Sequence, residues 1–149
     1  MRSGTEGWHR AVPETNRFSK PQKAFMPRPV LDEAHIHPAV RSAISESRQG
    51  IVREVMRAIA ANDIVVVGMA INPYPKKARR ALEEAKQAFK YLEYGSYFSA
   101  WRDRNALKMW TGWPTFPMVF VKGVLVGGAD ELKVLIDSGE LKAMLQRIA

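Results

Sequence analysis

The sequence IVVVGMAINPYPKKA, residues 64–78, decides the fold of this chain. It opens with four β-branched residues, 64–67, which favour a strand buried on both faces. A helical pattern begins after Pro75. A tight turn from a strand into a helix gathers free backbone N–H groups and the positive end of the helix dipole, so α/β proteins often place their chemistry there. Here Asn72 and Pro73 supply neither a nucleophile nor a base, so the segment has the architecture of an active site without its chemistry.

The composition of the 149-residue chain predicts one domain with an appendage. Hydrophobic residues make up 46% of the chain, which is enough for a packed core, yet no apolar run is long enough to cross a bilayer. The first residues lack the apolar core of a secretory signal, so we expect a cytoplasmic location and no membrane partner. The chain has no cysteine, which excludes disulfides, thiolate metal sites and thiol catalysis.

The net charge of +8 permits attraction to nucleic acid or to an acidic partner. The basic residues are scattered along the chain, and no RNA-binding motif is evident. We therefore favour a solvated basic surface and expect no nucleic-acid partner.

The N-terminal residues 1–37 are predicted to form an extended or disordered arm, because they contain four prolines and no sustained hydrophobic period. Residues 38–149 then form the folded domain. His35 and His37 have a spacing that suits two metal ligands, but no third ligand is in view, so we interpret both as solvent-facing.

The hydrophobic periodicity of the domain predicts alternating helices and strands. The expected helices are 38–62 (with a split at Gly50), 76–86, 96–111, 130–137 and 140–148, and the expected strands are 64–67, 89–94, 118–121 and 124–126. The helical connection between the first two strands makes them parallel, and the last two form a short antiparallel hairpin. This order predicts a thioredoxin-like three-layer α/β/α sandwich with a four-stranded mixed sheet and an extra N-terminal helix.

The helix expected at 96–111 carries several aromatic residues at helical spacing. We predict Ser96 or Ser99 as its N-cap. Its predicted buried face consists of Phe98, Trp101, Leu107 and Trp110. Trp113, which follows the helix, is instead a candidate binding residue because tryptophan is common in binding hot spots.

Three motifs make residues 51–149 resemble the glutaredoxin family. Residues 65–75, VVVGMAINPYP, look like the family's strand, loop and C-P-Y-C motif, with Asn72 and Pro75 at the two cysteine positions. Residues 113–117, WPTFP, are similar to the W-P-T-x-P segment of monothiol glutaredoxins, whose last proline is cis and faces the thiol. Residues 127–130, GGAD, resemble the G-G-C-D turn, with Ala129 at the cysteine.

The resemblance implies a groove for glutathione, which is the one cofactor it suggests. Lys108 would meet the glycine carboxylate, Phe116 would offer backbone groups, and Asp130 would accept from the γ-glutamyl ammonium. For Lys108 we favour the alternative of a solvated helix residue, whereas Asp130 could equally be a helix N-cap. Arg104 falls near an upstream arginine of the family. The implied groove residues are Asn72, Pro73, Tyr74, Lys108, Phe116, Pro117, Gly128, Ala129 and Asp130.

The departures from the family pattern limit the function that the resemblance implies. Asn72 cannot form the thiolate with which glutaredoxins attack disulfides, and Met69 replaces the lysine that supports it. We therefore predict a redox-inactive module that binds a small peptide-like ligand such as glutathione, or a protein partner. The family activity of glutathione-dependent thiol–disulfide oxidoreductase or iron–sulfur carrier is the first alternative. A basic interaction protein that binds RNA or an acidic partner is the second.

Overall fold

The computed structural model of the chain describes residues 27–47 and 49–147. The chain divides at Ile36 and His37 into two units, which are described separately. Most of the predicted arm lies outside the described residues. Its described part contains one 3-10 helix, Glu33–His35, whose N-cap Asp32 accepts the Ala34 N–H at 2.8 Å.

The second unit contains a four-stranded sheet between two layers of helices. The strand order is β2-β1-β3-β4, with β2 parallel to β1 and the other pairs antiparallel. The predicted sandwich with a mixed sheet is therefore confirmed. The elements are α1 (Pro38–Glu46), α2 (Gln49–Ala61), β1 (Ile64–Gly68), α3 (Pro73–Glu84), β2 (Lys90–Glu93), α4 (Trp101–Thr111), β3 (Met118–Val121), β4 (Val124–Gly127), α5 (Ala129–Asp137) and α6 (Glu140–Gln146).

The core lies on both sides of β1, all of whose residues are buried. Val65 and Val67 join a cluster with residues of α2 and α4. Ile64 and Val66 join a second cluster with residues of α3, α5 and α6. Side chains of a strand alternate between the faces of a sheet, so a strand covered by helices on both faces needs an unbroken apolar run. No helix among the described residues is long and apolar enough to cross a bilayer.

Two predicted helix boundaries are shifted in the structure. The predicted split between the first two helices is present, but α1 ends with Ser47 as its C-cap, and Gly50 lies within the first turn of α2. Helix α3 begins at Pro73 rather than after Pro75, with Asn72 as its N-cap. Proline is tolerated in the first turn of a helix because its missing N–H would have no acceptor there.

Helix α4 begins five residues later than predicted. Its N-cap is Ala100, with φ 56° and no side-chain cap, so the prediction of Ser96 or Ser99 is wrong. The two serines instead hold the preceding loop, since Ser99 Oγ accepts the Ser96 N–H at 3.1 Å and Ser96 Oγ accepts the Phe98 N–H at 3.2 Å. Side chains that bond the nearby backbone in this way compete with helix formation.

The predicted buried face of α4 is wrong for two of its four residues, since Phe98 is 91% exposed and Trp101 is 55% exposed. Leu107 is buried, and Trp110 is partly buried, with its ring centroid 6.0 Å from that of the core residue Phe120. Arg104 is buried instead, and its guanidinium donates to the carbonyl oxygens of Tyr94 and Ser99.

At Gly68, the last residue of β1, the strand lies in close contact with α3 and β2. A Cβ atom on Gly68 would lie 2.7 Å from Cβ of Pro75 and 2.9 Å from the hydroxyl of Tyr91. These distances are shorter than van der Waals contact, and the backbone of α3 would have to move to relieve the first.

We predict that Gly68→Ala lowers the free energy of unfolding by about 1–3 kcal/mol, because the added methyl group overpacks this junction. Urea denaturation followed by circular dichroism measures the change. Gly50→Ala is the matched control, since its Cβ would meet no atom within 4 Å and alanine favours the helix by about 1 kcal/mol. Equal stability of the two variants would contradict the prediction.

Candidate functional site

The N-termini of α3 and α5 and the loop before β3 surround one groove of about 670 Å³. All nine residues that the resemblance implied line this groove. Sequence reasoning missed Tyr97 and Glu131, and Trp113, the candidate binding residue, is also in the wall. The described lining residues are Met69, Asn72, Pro73, Tyr74, Tyr97, Lys108, Trp113, Pro114, Thr115, Phe116, Pro117, Gly128, Ala129, Asp130 and Glu131.

Asn72 lies at the N-terminus of α3 and caps it. Its backbone is extended, with φ −102° and ψ 124°, and its Oδ1 atom accepts the N–H of Tyr74 at 3.0 Å. Asparagine is among the preferred N-cap residues because its side chain satisfies an N–H that has no acceptor inside the helix. The position that offers the helix dipole to a reactive group therefore holds a neutral amide that is already hydrogen-bonded.

The peptide bond between Phe116 and Pro117 is cis, as the resemblance implied. Met118 pairs with Val67 at the start of the β1–β3 ladder, so the Phe116 backbone lies just outside the ladder, at the groove. The Phe116 ring is buried, and the ammonium group of Lys108 lies 5.8 Å from its centroid. This cation–π geometry places the Lys108 charge beside the cis-proline loop.

Asp130 pairs with a basic residue of α3. The ammonium group of Lys77 lies 3.0 Å from Oδ1 of Asp130, and this hydrogen bond, followed by the carboxylate charge, raises the pKa of Lys77 above its ordinary 10.5. Both side chains are more than half exposed, so solvent screens the pair and it contributes little to the stability of the fold. The alternative of Asp130 as a helix N-cap is wrong, because the N-cap of α5 is Gly128.

Comparison with known proteins identifies the family. The glutaredoxin family model matches residues 72–126. A glutaredoxin-like protein of Dictyostelium discoideum is 45% identical over 102 residues, which cover 68% of this chain and 83% of that protein. The chain belongs to the glutaredoxin family. Oxidized glutaredoxin 2 from Chlamydomonas reinhardtii is 27% identical to this glutaredoxin-like chain, with a TM-score of 0.58 over 67% of this chain and 94% of that one.

Another relative shares a shorter segment. The probable monothiol glutaredoxin 2 of Rickettsia prowazekii is 49% identical over 45 residues, which cover 30% of this chain and 42% of that protein. These similarities confirm the family and the fold that the three motifs implied.

A carboxylate of the chain itself occupies one end of the groove in this family member. Oε2 of Glu131 accepts the N–H of Gly128 at 3.0 Å. This is one half of a capping box, since Gly128 has no side chain that could accept the N–H of Glu131 in return. The N–H groups of Ala129 and Asp130 lie in the first turn of α5, where a helix provides no internal acceptor, so they can meet an anionic group in the groove.

Two further positions that the resemblance pointed to, Met69 and Arg104, are both buried. Met69 is buried in the groove wall, so the position of the family's supporting lysine is apolar here. Arg104 is not among the described lining residues, because it is buried against the loop before α4. Its role is to hold that loop.

The groove cannot hold an iron–sulfur cluster through a protein thiolate, because the chain has no cysteine. Within residues 27–47 and 49–147, no group of three or more histidine or carboxylate side chains could hold a metal ion.

We predict that Asn72→Ala lowers the free energy of unfolding by about 1 kcal/mol, because the Tyr74 N–H loses its acceptor. Asn72→Asp should unfold at the same or a higher urea concentration than the parent, since a carboxylate caps the helix and interacts favourably with its dipole. Urea denaturation of the three proteins measures the order. An alanine variant as stable as the parent would show that the cap contributes nothing.

Proposed function

We propose that this chain is a redox-inactive glutaredoxin that binds an extended peptide-like ligand, with glutathione as the first candidate, in the groove around cis-Pro117. The proposal rests on one observation: the nine implied residues surround a single groove, and one of them, Asn72, occupies the nucleophile position. The scaffold for the ligand is retained, and the group that would react with it is replaced.

The chemistry of Asn72 supports binding without reaction. Thiol–disulfide exchange begins with attack by a thiolate, and an amide has no ionisable proton from which to form a nucleophile at neutral pH. The side-chain oxygen of Asn72 is also engaged by the Tyr74 N–H. A ligand in the groove therefore meets a hydrogen-bonded, neutral helix cap.

The charges along the groove suit a zwitterionic peptide. Lys108 offers a cation for a carboxylate beside the cis-proline loop. The first turn of α5 offers N–H groups for a second carboxylate, and Asp130 offers an anion for an ammonium group. A buckwheat glutaredoxin–glutathione complex shares the fold, with 21% identity and a TM-score of 0.58, and supports glutathione as the first ligand to test.

Lys77 competes with the ligand in this arrangement. A ligand ammonium must share Asp130 with Lys77 or displace it. The exposed pair is weak, so the competition lowers affinity only modestly.

We predict that glutathione and S-methylglutathione bind the protein with similar affinity, because the chain has no thiol with which to form a disulfide. Asp130→Asn should weaken both about two- to fivefold, since the ligand ammonium loses its carboxylate partner and an ion pair on an exposed carboxylate is weak. Isothermal titration calorimetry measures the affinities. Asp137→Asn, on the same helix but outside the groove, is the matched control. Absence of heat and of amide chemical-shift changes at Phe116 would exclude this ligand.

We also predict that Asn72→Cys introduces a thiol with a pKa below the ordinary value of about 8.5, because the N-terminus of α3 stabilises a thiolate. The pH dependence of iodoacetamide alkylation measures it, and mass spectrometry should detect a mixed disulfide with oxidised glutathione. Ser45→Cys, on an exposed position of α1, is the control with an ordinary thiol.

Equal alkylation profiles for the two cysteine variants would show that the helix N-terminus no longer favours an anion. Reduction of a glutathione mixed disulfide by the parent protein, above an uncatalysed blank, would contradict the redox-inactive function itself.

A further inference from the structure

A second groove, of about 570 Å³, lies between α1 and the start of α2 on one side and α4 on the other. It shares no described lining residue with the groove around cis-Pro117. Helix α4 separates the two, with Lys108 facing the first and Met109 facing the second.

The wall formed by α1 is a largely apolar stripe that the described residues leave exposed. Val40, Ala43, Ile44 and Ser47 line the groove and follow the spacing i, i+3, i+4 and i+7 of one helix face. No residue of α1 is buried, and Val40 and Ile44 are each 49% exposed. A nine-residue helix is marginally stable unless its apolar face packs on something. The stripe thus has the pattern of a packed surface and lacks an occupant among the described residues.

The wall formed by α4 has the composition of a binding surface. Met109 is 76% exposed and Trp101 is 55% exposed, with the partly exposed Trp110 beside them. Single exposed apolar side chains are ordinary, but a contiguous set marks an interaction site. Tryptophan is enriched among binding hot spots, and methionine adapts its shape to the partner.

The charge of the groove indicates which kind of binding partner it favours. Among the described residues that line it, Arg102 carries the only formal charge, and its guanidinium lies 5.2 Å from the centroid of the Trp101 ring. A second copy of the chain, which is basic as a whole with a net charge of +8, would bring another Arg102 to the same surface. Like charges across an interface are unfavourable, whereas a carboxylate would pair with the guanidinium.

We propose that this second groove binds an acidic amphipathic helix of another protein. Apolar side chains of that helix enter between the α1 stripe and Met109, and a carboxylate on its flank pairs with Arg102. The Trp101 ring limits the orientations of the guanidinium, so less side-chain freedom is lost when the pair forms. The proposal involves none of the residues around cis-Pro117 and is independent of the function proposed above.

Selection from a phage-displayed library of random 16-residue peptides against the whole protein tests the proposal. Enriched peptides should carry apolar residues at i, i+3, i+4 and i+7 and an excess of Asp and Glu. A synthetic copy of the most enriched peptide should bind at least tenfold more weakly to Met109→Ala, and its affinity should fall as salt is added. Val134→Ala, at an exposed apolar position of α5 outside the groove, is the matched control and should bind like the parent.

A charge-reversal variant tests the role of Arg102. The same selection against Arg102→Glu should shift the enriched peptides from acidic to basic residues, a change that loss of folding could not produce. Circular dichroism confirms that each exposed-site variant is folded.

Enriched peptides without an acidic bias, or with equal affinity for the parent and Met109→Ala, would overturn the proposal. A concentration-dependent dimer in sedimentation that Met109→Ala abolishes would also overturn it, because the groove would then belong to a second copy.

Discussion

Burial of β1 on both faces is the constraint on which the rest of the structure depends. Each face needs its own layer of helices, so α2 and α4 cover one side and α3 and α5 the other. The pairing of Val67 with Met118 places the start of β3 beside the end of β1. The cis bond before Pro117 and the N-cap Asn72 therefore border the same groove, and α5 joins them because it begins directly after β4. The groove follows from the sheet register and needs no cysteine to form.

Several polar groups at this junction are paired within the chain, whereas the buried Trp113 Nε1 in the groove wall has no hydrogen-bond partner among the described residues. A helix N-terminus exposes N–H groups that need acceptors, and in a thiol-bearing glutaredoxin the α3 end would face a thiolate. Here Asn72 caps α3, Glu131 accepts from Gly128 at the start of α5, and Lys77 pairs with Asp130 across the two helices. The architecture of the site thus persists without its reactive group, because neutral or internally paired side chains meet the same hydrogen-bonding demands.

The fold could be predicted because its signals are local: a β-branched run, constrained prolines and a glycine pair at a bend. Eight of the nine residues proposed for the site lie in the three motifs, whose loops meet at one edge of the sheet, and Lys108 lies on α4. The pair between Lys77 and Asp130 joins residues 53 positions apart, which no local pattern reveals. The burial on α4 was mispredicted because Arg104 occupies an inward position, where two loop carbonyls at 2.6 and 3.0 Å satisfy its guanidinium. A prediction from hydrophobic spacing expects an apolar or aromatic side chain at an inward position of a helix, so it does not identify a buried arginine.

Helix α4 explains how two grooves can coexist on a small domain. Successive residues on a helix point about 100° apart, so Lys108 and Met109 face different surfaces while Leu107 faces the core. Arg104 fixes the start of the helix to the preceding loop, and Gly112, with φ 76°, ends it by donating to the Lys108 carbonyl at 2.7 Å. With its start and end held in this way, the helix presents both surfaces as parts of one rigid element. The surface around Met109 contains none of the positions at which the family carries cysteine, so a partner bound there would be recognised by shape and charge alone.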